Sequence, residues 1–432
     1  MTKPDDAPTK GKGAHMSGRA VPPGALRKRP APAPVLFLAL FTAQSGFLVL
    51  TPVLPAVAHD LGVSTASAGA LRVASGLAGG AIALGLSLVG RRLGLRDLIG
   101  IGLALTAAGS LASAAAPSFA ALAASQLAVG TGNAVVLSAA VAAAGRWSTG
   151  SDRARVLSIA LLGQPASWVV GMPLIGVLAT SSWRLAMCLP SVAGALALLL
   201  LAARPRDRPG AVDGEIRALL SRDRAVAGWA LGEMLAYAGW GGTLTFAGAL
   251  MIESYRSSPG LVAQLLGLAA VAYFPGSMLA RRRAGDSPRQ LLAALGCGLA
   301  VALAAFGLLR PGLAFSVALF ALIVMLAGGR TLAGSAAGLV SAPERELSVM
   351  SIRAAATQFG TVAGAALGGM ALAAGGYGLL GVVLATLFAA GALPHLAALR
   401  VPWIGLRAER ACPANRTEVD RGRVAVLEAG RP

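Results

Sequence analysis

The sequence predicts an all-α, polytopic membrane protein of twelve transmembrane helices in two six-helix halves. Three observations carry that prediction. Over 432 residues, 56% are hydrophobic and only 13% charged, against roughly 25% charged in a soluble domain, and the mean hydropathy is +0.71. The charges gather between apolar runs of about 20 residues or more, the length a helix needs to cross a bilayer core. The chain also resembles itself at an offset of 193 residues: Ala143-Ala144-Gly145 matches Ala336-Ala337-Gly338, Val156-Leu157-Ser158-Ile159 faces Val349-Met350-Ser351-Ile352, and Gly171 and Gly176 face Gly364 and Gly369.

Punctuation by charge, proline and glycine sets the elements in order. The spans fall near 34–56, 66–90, 97–116, 118–144, 154–179 and 183–203, then 226–252, 259–281, 288–309, 312–340, 346–373 and 376–399. The first run has a signal peptide as its rival, with basic residues before it and Ala-Val-Ala at 56–58. It is long for such a segment and eleven more follow, so it is read as a span that stays. This divides the chain into a tail (1–33), a six-helix bundle (34–203), a linker (204–225), a second bundle (226–399) and a second tail (400–432). Both tails are polar and weakly patterned, as disordered segments are.

A net charge of +19 invites a nucleic-acid reading. The distribution excludes it, because the arginines sit in short loops between apolar runs and in the tails. Loops after even-numbered spans hold 17 arginines and the other inter-span loops three, Arg184, Arg256 and Arg310. The positive-inside rule then places both tails and the even loops in the cytoplasm, here beneath the inner membrane of a bacterium. Cys188, Cys297 and Cys412 are scattered, as are the three histidines, so neither a disulfide framework nor a metal site is indicated. No phosphate-binding loop and no nucleophile–base spacing stands out; the reading is of a protein that is no enzyme and takes no cofactor.

Against this background Glu233 stands out. It is the one acidic residue in the interior of a predicted span, at a cost of about 2.5–3.5 kcal/mol or more. Trp229, Glu233, Tyr237 and Trp240 are spaced four, four and three apart and share one helical face. An acid among aromatics on one stripe reads as facing a cavity, with an interhelical packing face as the rival. Arg330 lies at comparable depth in span 10, and a buried charge persists when paired, so a Glu233–Arg330 pair is expected, opened by a proton or by substrate. In the first half, Gln126, Gly130 and Asn133 share a face of span 4, and Gln44, Leu48 and Thr51 share a face of span 1. The amides read equally as substrate contacts or as helix-to-helix bonds. Arg72 and Arg353 read as side chains that snorkel to headgroups.

Several of these strings resemble the major facilitator superfamily, in particular its twelve-span drug or sugar efflux branch of drug:proton antiporters. Thr51-Pro52-Val53-Leu54-Pro55 through Gly69 is similar to that branch's first helix and exit loop. Gly163-Gln164-Pro165 through Gly171-Met172-Pro173-Leu174-Ile175-Gly176 is similar to its fifth-span antiporter motif, and Trp183-Arg184 to the pair that follows. The resemblance covers about 34–399. It implies that spans 1, 4, 7 and 10 line a central cavity, where Glu233 and Arg330 would meet. It also implies that Gly163, Gly171, Pro173 and Gly176 let span 5 bend and gate. Two positions depart from the family. Arg91 stands where the loop after span 2 carries an aspartate, and Gln126 stands where antiporters of the branch carry an arginine four residues before a glycine. Proton coupling is then either absent or carried by other groups.

The function expected is export of a small amphipathic organic compound in exchange for protons, by rocking of two halves about a midplane site. The partners are that solute, protons and the bilayer, with no nucleic acid, and the chain acts as a monomer. A proton-independent facilitator or importer is the alternative, and a non-transporting scaffold or sensor is a further one.

Overall fold

The computed structural model describes residues 32–89, 93–148, 152–207, 223–341 and 346–399. Both tails, Arg91, Arg92 and Arg345 and most of the linker lie outside the described residues. Those described form helices and no strand. Among the described residues, nine helices are long and apolar enough to cross a membrane, ten if one bent pair counts as a single span.

That bent pair opens the chain: α1 (Pro32–Leu48) and α2 (Leu50–Asp60) meet at 40°. Proline has no N–H to close a helical bond, and Pro52, just past the break, cannot bond back to Leu48. A single turn, α3 (Thr65–Ala68), is capped by the Ser64 hydroxyl, which accepts from the Ser67 N–H. Then come α4 (Ala70–Val89), α5 (Leu95–Ala114) and α6 (Phe119–Arg146), the last started by a Ser118 cap. The next rod is broken into α7 (Asp152–Leu161), α8 (Gly163–Ala166), a π-helical turn (Ser167–Gly171) and α9 (Met172–Ser181). Pro173 again removes a backbone donor, and a π-turn just before it absorbs the misfit. Ser182 caps α10 (Trp183–Met187), which leads into α11 (Leu189–Ala202).

The second half opens with α12 (Arg224–Tyr255), whose first turn is capped by Asp223 accepting from the Ala225 and Val226 N–H groups. Arg256, in the left-handed region, ends it, and Ser258 with Pro259 starts α13 (Pro259–Ala270). α14 (Tyr273–Asp286), α15 (Pro288–Leu308) and α16 (Leu313–Ser341) follow. The last two predicted spans are arms of α17 (Glu346–Leu399), joined without a loop at Gly375 and Gly376. Gly376 has φ +64, a conformation that glycine adopts at no steric cost, so two residues suffice to turn the chain.

The two halves share one apolar core at the end of the molecule that carries Asp60, Glu253 and Tyr377. There Leu50, Val53 and Leu54 of α2, with Met172 and Ile175 of α9, pack with Phe246 and Leu250 of α12 and Val262 and Leu266 of α13. Toward the opposite end the buried residues separate into two cores. One holds only first-half residues, among them Leu36, Ile99, Val136 and Ala160. The other holds only second-half residues, among them Val226, Leu292, Ala337 and Ile352. Among the described residues, then, the seam between the halves is sealed at one end while the halves keep to themselves at the other.

Small residues make the seal possible. A Cβ on Gly176 would lie 2.5 Å from the Ala263 Cβ and 3.1 Å from the Gly260 carbonyl, and one on Gly369 would lie 2.9 Å from the Ala66 carbonyl. Adding 193 to Gly176 gives Gly369, and adding it to Ala66 gives Pro259, one residue from Gly260. The two contacts are images of each other under the repeat. At the same end Thr65 donates to Glu253 Oε1 (2.5 Å), and Tyr377 donates to Glu253 Oε2 (2.8 Å). Within the first half, Asp60 accepts from the Trp183 indole (3.0 Å) and pairs with Arg184.

Candidate functional site

Glu233 lies in the first third of α12 and is fully buried. It faces α16 at Gly334, where a Cβ would come within 2.6 Å of its Oε1. Only a glycine leaves the carboxylate room there. Arg330, one turn earlier on α16, places Nη2 2.8 Å from Oε1 with 6% of its side chain exposed. Arg353, on the first arm of α17, places Nε 3.0 Å from Oε2 and is 16% exposed. One carboxylate is thus clasped by two guanidiniums from two other helices.

The two clasps differ in kind. Arg353 Nε donates a formed hydrogen bond to Oε2, and its Nη2 donates to the Tyr237 hydroxyl (3.0 Å) and the Thr331 carbonyl (3.3 Å). Its guanidinium also lies over the Tyr237 ring, 5.5 Å from the centroid. Arg330 Nη2 directs its hydrogen bond to the Gly232 carbonyl (3.3 Å), so Oε1 has a positive charge beside it and no aligned donor. Oε1 is therefore the less firmly held of the two oxygens.

His395, on the second arm of α17, packs behind Glu233. It is buried, its Nε2 has no hydrogen-bond partner, and a Cβ on Gly232 would fall 2.7 Å from that atom. At an effective dielectric of about 20, an ion pair near 4 Å contributes about 4 kcal/mol, while each desolvated ion costs several kcal/mol. Two pairs over three ions come close to balance, which suits a cluster that opens and closes.

The predicted residues divide between the seam and the packing. Glu233, Arg330 and Tyr237 belong to one cluster. Trp240 is half-buried and its ring lies 6.5 Å from that of Trp168, across the seam on the π-turn. Trp229 is placed differently from the cavity expectation: its indole donates to the Gly334 carbonyl (2.9 Å) and its ring fills the space over Gly338, packing α12 on α16. Gln126 donates to Ser113 (2.9 Å) and Asn133 accepts from Thr106 (3.1 Å), so both amides bond α6 to α5 within one half. Gln44 is half-buried on α1.

In the broken rod, Gly163 abuts the Phe37 carbonyl, and Gly171 lies near Phe41 and Ser45. Pro173 packs against Gly267, and Gly176 against Gly260 and Ala263, so these two meet the other half.

Two arginines depart from the snorkelling expectation. Arg353 turns into the protein to meet Glu233. Arg72 is 1% exposed, with Nη1 donating to the Phe47 carbonyl, Nη2 donating to Thr51 Oγ1 (3.1 Å) and its guanidinium 4.0 Å from the Phe47 ring centroid. Its Nε has no partner.

Fold and site together define a multi-pass, all-helical membrane protein of two halves, with an ionic cluster inside the second half and a seam between the two. Residues 36–232, from α1 into α12, match the family model of the Major Facilitator Superfamily. No curated protein sequence matches it. Its fold is shared with solved transporters. A bacterial homologue of the human lysosomal transporter Spinster, in an inward-facing and unoccupied conformation, is 17% identical, with 87% of this chain and 95% of that one covered and a TM-score of 0.67. A D-xylose–proton symporter is 14% identical, over 84% and 96%, with a TM-score of 0.69. A nucleoside transporter is 13% identical, over 85% and 98%, with a TM-score of 0.70.

Proposed function

We propose that the chain is a secondary transporter of a bacterial cytoplasmic membrane. It moves a small, partly apolar organic solute by rocking its two halves, and it draws on the proton gradient through Glu233. The observation that carries this is the Glu233 carboxylate, fully buried between two guanidiniums, with Oε1 lacking an aligned donor. A proton on Oε1 would discharge the carboxylate and loosen both clasps at once. The superfamily match and the fold shared with solved sugar and nucleoside carriers support solute transport. They support neither a particular solute nor a direction.

In this reading twelve helices cross the bilayer. The broken rods α1–α2, α7–α9, α10–α11 and α13–α14 each make one crossing, and the two arms of α17 make two. The arginine-rich loops and both tails face the cytoplasm. The sealed end then faces outward, and the described conformation is inward-facing. The glycines and proline of the fifth span serve as the hinge and sliding surface of the seam.

The fifth-span string and Trp183-Arg184 support export in exchange for protons. A specific observation favours a second sense. The carboxylate already has two cationic partners, so a proton vacates cationic sites, and it assists rather than displaces a solute that needs them. That linkage moves solute and proton the same way.

Inside-out vesicles without an imposed gradient, holding a pH-sensitive dye, separate the two. A compound added outside alkalinises the lumen under exchange and acidifies it under cotransport. Glu233→Gln abolishes either signal. A signal undiminished in that variant would remove Glu233 from the coupling, and compound entry without proton movement would make the chain a facilitator.

A further inference from the structure

The charge inventory inside the membrane is lopsided. Three guanidiniums are buried or nearly so, those of Arg72, Arg330 and Arg353, and among the described residues one carboxylate, Glu233, is buried with them. Arg72 has a carbonyl, a hydroxyl and an aromatic face around it, but no anion, and its Nε is unpartnered. Uncompensated charge at this depth is costly, and such residues mark what passes through. The Glu233 cluster by itself holds two guanidiniums to one carboxylate, a surplus of positive charge that disfavours a cation, whose counter-charge, Glu233, is already taken twice over.

The apolar side of the site is equally defined. Tyr237 and Trp240 lie four and seven residues past Glu233 on the same face of α12, so Trp240 sits about 10 Å further along the helix at 1.5 Å per residue. Trp168 meets it from the other half. Arg353 is the most accessible member of the ionic cluster and holds Tyr237 at the start of this stripe.

We propose that the solute is a small organic anion. Its charged head sits on Arg353 and Arg330, and its apolar body lies along Tyr237, Trp240 and Trp168. This deepens the transport reading above and rests on it. Head group and Glu233 compete for the same two guanidiniums, so protonating Glu233 strengthens anion binding. The other titratable or charged groups facing Glu233 are Arg330 on α16, Arg353 and His395 on α17, and Tyr237 on its own helix. Tyr273 of α14 lies next to Arg353 and Tyr237.

The test uses the full-length protein in lipid nanodiscs and a matched set of probes: phenylacetate and octanoate as anions, phenylacetamide and octanol as neutral partners, phenethylamine and octylamine as cations. Binding is read by ligand-dependent thermal stabilisation. The carboxylates are expected to stabilise the wild type, more at acidic than at alkaline pH, and their neutral and cationic partners are not. Arg353→Gln should weaken carboxylate binding by about tenfold or more, the equivalent of about 1.4 kcal/mol. Glu233→Gln should retain binding and lose its pH dependence.

Stabilisation by the amines or neutral compounds and not by the carboxylates would overturn the anion assignment and leave the transport reading standing. Carboxylates that bind equally well to Arg353→Gln would overturn it as well, and so would an absence of stabilisation by any carboxylate. Should Arg353→Gln fail to fold, the wild-type comparison of each acid with its neutral partner decides alone. Carboxylates that bind yet never cross the vesicle membrane would sink the transport reading instead.

Discussion

Thr51 donates its hydroxyl to the Leu244 carbonyl at 2.8 Å, and the two residues are 193 positions apart, the offset of the internal repeat. A residue that touches its own repeat image sits on the axis relating the two halves, as equivalent residues do at an isologous interface. The same backbone position is crowded from the other side, since Gly248 approaches the Thr51 carbonyl too closely for any Cβ to fit without a shift. Thr51 Oγ1 also accepts from Arg72 Nη2. One hydroxyl therefore closes the seam and satisfies a buried cation.

Thr51→Val should open the sealed end. The variant keeps the shape of the side chain but loses a buried hydrogen bond, about 1 kcal/mol net, and leaves an Arg72 donor unsatisfied, about 1–3 kcal/mol more. Of the two, only the Thr51–Leu244 bond crosses the seam, so about 1 kcal/mol bears on opening, a shift of roughly fivefold in a two-state ratio. Spin labels at His59 and Ser254, both exposed at that end, should show a longer-distance population growing in Thr51→Val. Unchanged distance distributions would mean that the apolar seal alone holds the end shut.

Gly334→Ala changes no charge, yet it should disable coupling. The added methyl would sit 2.6 Å from Glu233 Oε1 and 2.9 Å from Oε2, and α16 is fixed there by the Trp229 indole bond to the Gly334 carbonyl. The carboxylate must swing away from Arg330. Solute-dependent proton movement in vesicles should fall to near that of Glu233→Gln while the protein still reaches the membrane. Wild-type proton signals in Gly334→Ala would show that the Arg330 clasp is dispensable.

The membrane class and the all-helical fold were legible because hydropathy answers directly to the bilayer. Burial partners were legible only in part. Glu233 and Arg330 could be matched by depth along their helices. Arg353 could not, since its depth near a span end suits snorkelling equally well. A signal was nonetheless available: Arg353, Gly360 and Gly364 fall on one face, and Gly360 and Gly364 are where α17 meets the α12 backbone. A glycine stripe points to a neighbouring helix and carries its arginine there. Arg72 heads a similar stripe of Gly76 and Gly79, which packs on the first arm of α17 and on α6. The amides of α6 were ambiguous in sequence because one helix face says nothing about which neighbour fills it. Their partners, Ser113 and Thr106, come from a different helix.

Trp229→Phe separates packing from recognition. Its indole N–H is bonded within the second half and its ring is buried. The variant should lose about 1 kcal/mol of stability and leave solute affinity unchanged. Trp240→Phe should do the reverse, lowering affinity while hardly moving the unfolding temperature, because its ring is half-buried at the seam opposite Trp168. Thermal unfolding and binding titrations on the two variants check this, and a loss of affinity in Trp229→Phe would return that residue to the solute path.

The ionic cluster should answer to substitution as a unit. Removing one partner from a buried pair costs about 3–5 kcal/mol, chiefly because the other charge is left uncompensated. Glu233→Gln strands two guanidiniums, whereas Arg353→Gln leaves the carboxylate its second partner, Arg330. Glu233→Gln should therefore be the more destabilising single change, despite being nearly isosteric. Adding Arg353→Gln to Glu233→Gln should restore part of the loss, since it removes a stranded charge, with a coupling of about 0.5–3 kcal/mol for groups in contact. Thermal unfolding of the two single variants and the double variant in one detergent measures this. A double variant whose loss equals the sum of the singles would show that the charges act independently, and the clasp would then have no part in switching the protein.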